Sequence, residues 1–171
     1  MTDRTDHIVV IGPMAAGKTT VGRGIAERLG LDFVDSDEQI RDLTGRSGAE
    51  IAEGEGVDAL HRMELQVFWA AMSAPAPSVI AAAASVIEDA EAREALIRSR
   101  CVWLHAADDT RRRRRESGSH RREVSEQEAR LLEKRDPLFA GCADVRIDTG
   151  AVTERDAVSI AVSAMAERND G

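Results

Sequence analysis

The sequence predicts an α/β protein built on a parallel sheet, and three observations carry that reading. Short apolar runs alternate with longer stretches of helical spacing along the whole chain. The first run, Ile8-Val-Val-Ile11, lacks polar alternation, as expected of a strand buried on both faces. It leads directly into Gly12-Pro-Met-Ala-Ala-Gly-Lys18-Thr19, which fits G-x-x-x-x-G-K-[ST] and opens a helical pattern.

Strands are predicted at 7–11, 32–35, 78–82, 101–105 and 144–147, and helices near 17–29, 37–44, 47–53, 57–73, 88–99, 108–116, 125–135 and 153–168. The first helix should stop at Gly30, a natural position for a left-handed residue. Phe33-Val34 then carry a strand into Asp35-Ser-Asp37, and Glu53-Gly-Glu55-Gly56 reads as a helix break before the long central helix. Ala74-Pro-Ala-Pro77 ends that helix because proline cannot continue it, and Asp136-Pro137 is expected to end a later one. Trp69, Trp103, Met63 and Met72 read as core residues. His7 falls in a disordered-looking start, and Asn169-Asp-Gly171 should be frayed.

A chain of 171 residues fits one domain, 1–171, with a core of its own. Apolar residues make up 43% but aromatics only 3%, so Ala, Val, Ile and Leu must build the core. Few stacking surfaces and a formal net charge of −8 argue against nucleic acid as a partner. Cys101 and Cys142 have no metal-ligand spacing and read as small buried residues in a reduced, cytoplasmic setting. The start has no apolar signal region, and the apolar stretch around Val79 to Ala84 is too short to span a bilayer, so no membrane association is expected. Arg111 to Arg115 would surround a helix at about 100° per residue, so most of them are solvated. Ser117-Gly-Ser119 fits a hinge or lid, and equally a plain surface loop.

The glycine-rich segment carries the first chemistry. A strand delivers the loop, glycines let backbone N–H groups turn inward around phosphate oxygens, and the next helix presents its positive end to the same anion. Gly12, Ala15, Ala16, Gly17, Lys18, Thr19 and Thr20 are the candidate nucleotide-binding residues. Lys18 would reach the β- and γ-phosphates of ATP, and the Thr19 hydroxyl would ligate Mg²⁺. The competing explanation, a glycine turn between strand and helix, does not account for the full pattern. Two residues apart at the end of a strand, Asp35 and Asp37 should point to one face of the crevice. Asp35 could hold Mg²⁺ through water, and Asp37 could accept a proton from an attacking hydroxyl. Alternatively the segment is a polar loop in which Asp37 or Ser36 caps the next helix.

Gly17-Lys-Thr-Thr-Val-Gly22, Leu29-Gly-Leu-Asp-Phe-Val-Asp-Ser-Asp37 with Gln39-Ile40, Glu133-Lys-Arg-Asp-Pro-Leu-Phe139 and Ala143-Asp-Val-Arg-Ile-Asp-Thr149 resemble the shikimate kinase family. The match runs in order over about residues 8–149. The resemblance implies a three-layer, nucleoside-monophosphate-kinase-like P-loop kinase fold with a five-stranded parallel sheet. It also implies acceptor-binding helices at about 37–74 and a lid at about 114–125. On the family pattern Arg113 lies near adenine, Arg121 is the lid arginine that reaches the phosphates, and Arg135 binds the acceptor's carboxylate.

Three departures from the family fall on the acceptor side. His61, in Leu60-His61-Arg62-Met-Glu64, replaces an arginine expected to pair with the shikimate carboxylate, and imidazole lacks the bidentate fork. Arg62 is one residue along and would need a local rotation to serve. Ala82-Ala83-Ala84 replace the family's three glycines, adding methyls and resisting any positive φ. Arg121-Arg122-Glu123-Val124 replace the lid's Arg-Pro-Leu-Leu. The reading is therefore a small-molecule kinase that transfers phosphoryl from ATP to a hydroxyl of a small, anionic polyhydroxy acid, shikimate first, acting as a monomer. Alternatives are a gluconate or other polyol or cyclitol kinase, and a nucleotide-binding protein without transferase activity.

Overall fold

The continuous apolar run at the start becomes the central strand. The computed structural model describes residues 6–107, 110, 113 and 126–167. Its strands are β1 (Ile8–Ile11), β2 (Asp32–Asp35), β3 (Ser78–Ala81), β4 (Arg100–His105) and β5 (Val145–Asp148). They form one sheet in the order β2-β3-β1-β4-β5, with every pair parallel. Val9 stands in register with Ile80 on one side and Cys101 on the other. The chain leaves β1 toward β2 and later returns to β4 on its other flank, which opens a crevice beyond the carboxyl end of β1.

Alternate residues of β1 supply two cores. Ile8 and Val10 pack with Ile25 of α1 (Lys18–Leu29) and Val158 of α7 (Glu154–Glu167). Val9 and Ile11 pack with Phe68 of α4 (Val57–Met72), Leu96 of α5 (Ala90–Arg98) and Phe139 of α6 (Glu126–Cys142). The result is three layers with the sheet in the middle. A smaller cluster joins Ile40 of α2 (Ser36–Thr44), Ile51 of α3 (Gly48–Glu55) and Val67 of α4. It holds those three helices together on the β2 side. Among the described residues no helix is long and apolar enough to cross a membrane.

Several local expectations hold for the reasons given. Gly30 ends α1 in the left-handed region at φ 66°, and Gly56 at φ 93° separates α3 from α4. Cys101, Cys142, Trp103 and Met72 are buried, while Trp69 and Met63 are partly so. Others are corrected. The helix expected near 88–99 is α5, which starts two residues later because Asp89 caps it through the Ala92 N–H, and a separate 3₁₀ turn, Ala84–Glu88, precedes it. His7 is 4% exposed. Its Nδ1 accepts from the Ser78 N–H at 3.2 Å, so Nε2 carries the proton and donates to the Ala74 carbonyl at 3.1 Å. It therefore pins the start of β1 to the loop before β3. The helix near 108–116 is represented by Thr110 and Arg113, both helical, whereas Ser117–Ser119 and Asn169–Gly171 lie outside the described residues.

Pro137 does not stop its helix, and α6 runs through it to Cys142. Proline in a helix interior costs about 3 kcal/mol. Burying Phe139 to 1% exposure is worth about 1.5–3 kcal/mol. Its stacking on Trp103, with ring centroids 6.0 Å apart, adds about 0.5–1.5 kcal/mol. Tertiary packing beyond the proline thus offsets the local penalty. Replacing Phe139 with Ala should lower the unfolding free energy by about 3–5 kcal/mol in a denaturant titration. A loss below about 1 kcal/mol, the size expected of a surface change, would mean that the helix beyond Pro137 is not packed into the core.

Candidate active site

The phosphate loop takes its shape from three residues with positive φ. Gly12 has φ 142°, and a Cβ there would sit 2.2 Å from the Leu104 carbonyl oxygen, so only glycine fits. Gly17 caps α1 at φ 100°. Ala15 lies at φ 62° and is the one non-glycine residue with positive φ among those described, a strain of about 1–3 kcal/mol. Thr149, just beyond β5, donates its hydroxyl to the Ala16 carbonyl at 2.6 Å and ties the loop to the sheet. Lys18 Nζ donates to the carbonyls of Gly12 at 2.8 Å and Pro13 at 3.0 Å. Burial lowers its pKa to about 8 against the opposing charges of Asp37, Asp35 and Glu64. The loop thus surrounds the N-terminus of α1 with donors suited to an anion.

Asp35, the last residue of β2, is 6% exposed and faces two elements at once. Its Oδ2 accepts the Thr19 hydroxyl at 2.6 Å, while Oδ1 accepts the N–H groups of Asp37 at 2.9 Å and Glu38 at 3.4 Å. The cap of α2 is therefore Asp35 itself, not Ser36 or Asp37. That outcome also corrects the reason for pairing the carboxylates: Asp37 stands in the first turn of α2, so strand alternation does not align it with Asp35. The two nevertheless line one cavity of about 480 Å³. Desolvation against the cavity wall and the Asp35 charge raise the pKa of Asp37, although the residue is exposed as a whole, with Lys18 and Arg41 opposing. A carboxyl shifted this way holds a proton more readily, as a group receiving one from a hydroxyl should.

The cavity runs from the phosphate loop to a second group of residues. Ala15, Gly17, Lys18, Thr19 and Thr20 line one end, and His61, Ala82, Ala83, Ala84 and Arg135 line the other. The alanines are not strained. Ala83 has φ −61°, no positive φ occurs at 82–84, and the Ala82 N–H continues the sheet ladder to the Val10 carbonyl at 3.1 Å. What they change is the space left by their methyl groups. Arg62 is exposed and does not line the cavity, and α4 is regular through it, so no local rotation brings it in. Gly12 and Ala16 shape the loop from beneath rather than lining the cavity, Arg113 is exposed outside it, and Arg121 lies outside the described residues.

Other residues contribute to the site without a motif that marks them. Glu64 donates no side-chain hydrogen when ionised and accepts from the Ser85 hydroxyl. Burial raises its pKa while the Ser85 bond opposes the shift. Its place three residues after His61 puts both on one helix face, a spacing that could have identified it. Thr149 and Glu88 act from distant segments, and only tertiary structure reveals them.

The buried ammonium of Lys18 makes anion binding pH-dependent. Below about pH 8 it is charged; above, triphosphate binding must recruit a proton. Nucleoside triphosphate should therefore bind about 10-fold more weakly at pH 9 than at pH 7, with proton uptake visible by calorimetry in buffers of different ionisation enthalpy. Equal affinity at both values, without proton uptake, would contradict this account of Lys18.

The chain is similar to known proteins along nearly its whole length. The family model described as shikimate kinase matches residues 14–166. A shikimate kinase from Symbiobacterium thermophilum is 37% identical, with 96% of this chain and 98% of the relative covered. One from Methylococcus capsulatus is 35% identical over 92% of this chain and 91% of its own length. The solved shikimate kinase from Acinetobacter baumannii in complex with shikimate superposes with a TM-score of 0.84 at 34% identity, covering 97% of this chain and 96% of that one. With a phosphate loop, a paired carboxylate site and matches of this length, the chain belongs to the shikimate kinase family and is a small-molecule kinase that uses ATP.

Proposed function

We propose that this protein transfers the γ-phosphoryl group of ATP to a hydroxyl of shikimate. One observation carries the proposal: a single cavity joins the phosphate loop at Lys18 and Thr19 to Asp37 and Arg135. The acceptor hydroxyl oxygen attacks the γ-phosphorus, the bond to the β-phosphate oxygen breaks, and the hydroxyl proton passes to Asp37. Catalysis of this kind rests on positioning and on neutralising phosphate charge. Lys18 supplies charge from the loop, and Arg121 would supply it from the lid at about 114–125. Gly12, Ala15, Ala16, Gly17 and Thr20 shape the nucleotide cradle, with Arg113 beside adenine. Arg135 takes the acceptor's carboxylate, and His61 and Ala82–Ala84 border the acceptor within the helical region at about 37–74. We assign the whole of 1–171 to one kinase domain, acting as a cytoplasmic monomer.

Mg²⁺ fits this site by donor chemistry. The Thr19 hydroxyl and the Asp35 carboxylate are hard oxygen groups 2.6 Å apart beside the loop. Thr19 would ligate the ion directly and Asp35 through water. When bound, the ion would neutralise charge on the β- and γ-phosphates. The shikimate reading is preferred to gluconate because the family match spans the chain and Asp35-Ser-Asp37 stands where gluconate kinases carry Asp-Gly-Asp-x-x-His. A nucleotide binder without transferase activity would have no use for Asp37 beside Lys18.

The test is ADP release with Mg-ATP and shikimate, gluconate, a panel of uncharged cyclitols or no acceptor. Shikimate should stimulate release strongly, and Asp37→Asn should lower that stimulated kcat by about 10²–10⁴-fold. Desolvation in the cavity and the Asp35 charge raise the folded-state pKa of Asp37, whose side chain is still reached by solvent, so its ionised form opposes folding only weakly above the ordinary carboxylate range. The Asn variant should therefore melt no lower than the parent at pH 7. Stimulation by gluconate or a cyclitol alone would replace shikimate as the acceptor. Tight ATP binding with no stimulation by any acceptor would sink the transferase reading.

A further inference from the structure

The Arg135 side chain is 8% exposed and donates through Nε to Glu88 Oε1 at 2.7 Å. The other oxygen of Glu88, Oε2, lies 3.8 Å from Lys134 Nζ. Glu88 ends the 3₁₀ turn that follows Ala82 and Ala83, so it reaches α6 from the floor of the acceptor end. Arg135 lines the cavity and Glu88 does not, which places the carboxylate behind the guanidinium. A guanidinium is a rigid plane with Nε on one edge and its terminal amino groups on the other. Fixing Nε therefore fixes the direction of the fork. Burial alone would push the Glu88 carboxyl up, but the Arg135 hydrogen bond and the charges of Arg135 and Lys134 hold it below its ordinary range. Two cations and one carboxylate leave one positive charge, which an acceptor carboxylate would balance.

We propose that Glu88 is a positioning residue: it clamps Arg135 by Nε and so aims the guanidinium at the acceptor's carboxylate. The need is specific to this chain, because His61 stands where a second arginine is expected, and one fork must do the gripping. The inference rests on shikimate, a carboxylate, being the acceptor. It has a rival with the opposite sign. If Glu88 only quenched the Arg135 charge, removing it would tighten acceptor binding.

Steady-state kinetics of E88Q with Mg-ATP and shikimate decide between the two. Loss of a charge-assisted clamp should raise KM for shikimate about 10-fold or more, with kcat at saturation and KM for ATP unchanged. E88D, which keeps the charge on a shorter arm, should fall between the parent and E88Q, and it carries the test if E88Q does not fold. In an R135K background E88Q should raise KM for shikimate much less than in the parent, since an ammonium has no planar fork for Glu88 to aim. An unchanged or lower KM in E88Q, with normal parent turnover, overturns this inference alone. A parent enzyme that shikimate does not stimulate overturns the functional reading first and this inference with it.

Discussion

The Asp35 carboxylate joins the two halves of the site. One oxygen holds the Thr19 hydroxyl at the start of the phosphate-binding helix, and the other caps the helix that carries Asp37. A carboxylate buried to 6% exposure would be costly alone. Here three donors meet it, from the hydroxyl of one helix and the backbone of another. Strand β2 brings it there because parallel pairing with β3 sets Asp35 opposite Ala81, the residue before the alanines that line the cavity. A single side chain thus ties the helix after the phosphate loop, the helix that carries Asp37 and the sheet into one frame.

Around that joint the site concentrates charge that folding alone would avoid. Desolvation in the cavity lowers the Lys18 pKa to about 8 and raises those of Asp37 and Glu64. These shifts run against stability for each group taken singly, and opposite charges a short distance away limit them. Perturbed groups gathered in one crevice at a topological switch point are the expected signature of a catalytic site. The rest of the molecule compensates with two apolar cores on either face of β1 and with helix ends capped at Ser47 and Asp89.

Most of the framework was legible in the residues. Five strands, their parallel pairing and the loop after β1 follow from apolar runs, helical periods and the glycine pattern. The errors have physical causes. Pro137 reads as a stop because its local penalty is large, yet Phe139 is buried two residues later and its packing prevails. His7 reads as part of a loose start because its partners, Ala74 and Ser78, lie some seventy residues away. The alanines at 82–84 suggest backbone strain by comparison with glycine, but the chain there keeps negative φ. The Glu88–Arg135 clamp had no sequence signal, because it joins residues 47 positions apart.

The most direct measurement of the account is kcat/KM for Mg-ATP in Asp35→Asn at saturating shikimate. Asparagine caps a helix about as well as aspartate, so the variant should fold and melt close to the parent. It lacks the charge that would hold Mg²⁺ through water and would orient Thr19. Its kcat/KM should fall about 10–100-fold, with a raised Mg²⁺ requirement. An unchanged kcat/KM and an unchanged Mg²⁺ requirement would show that Asp35 serves only as a cap, and would contradict its role as the joint between the two halves of the site.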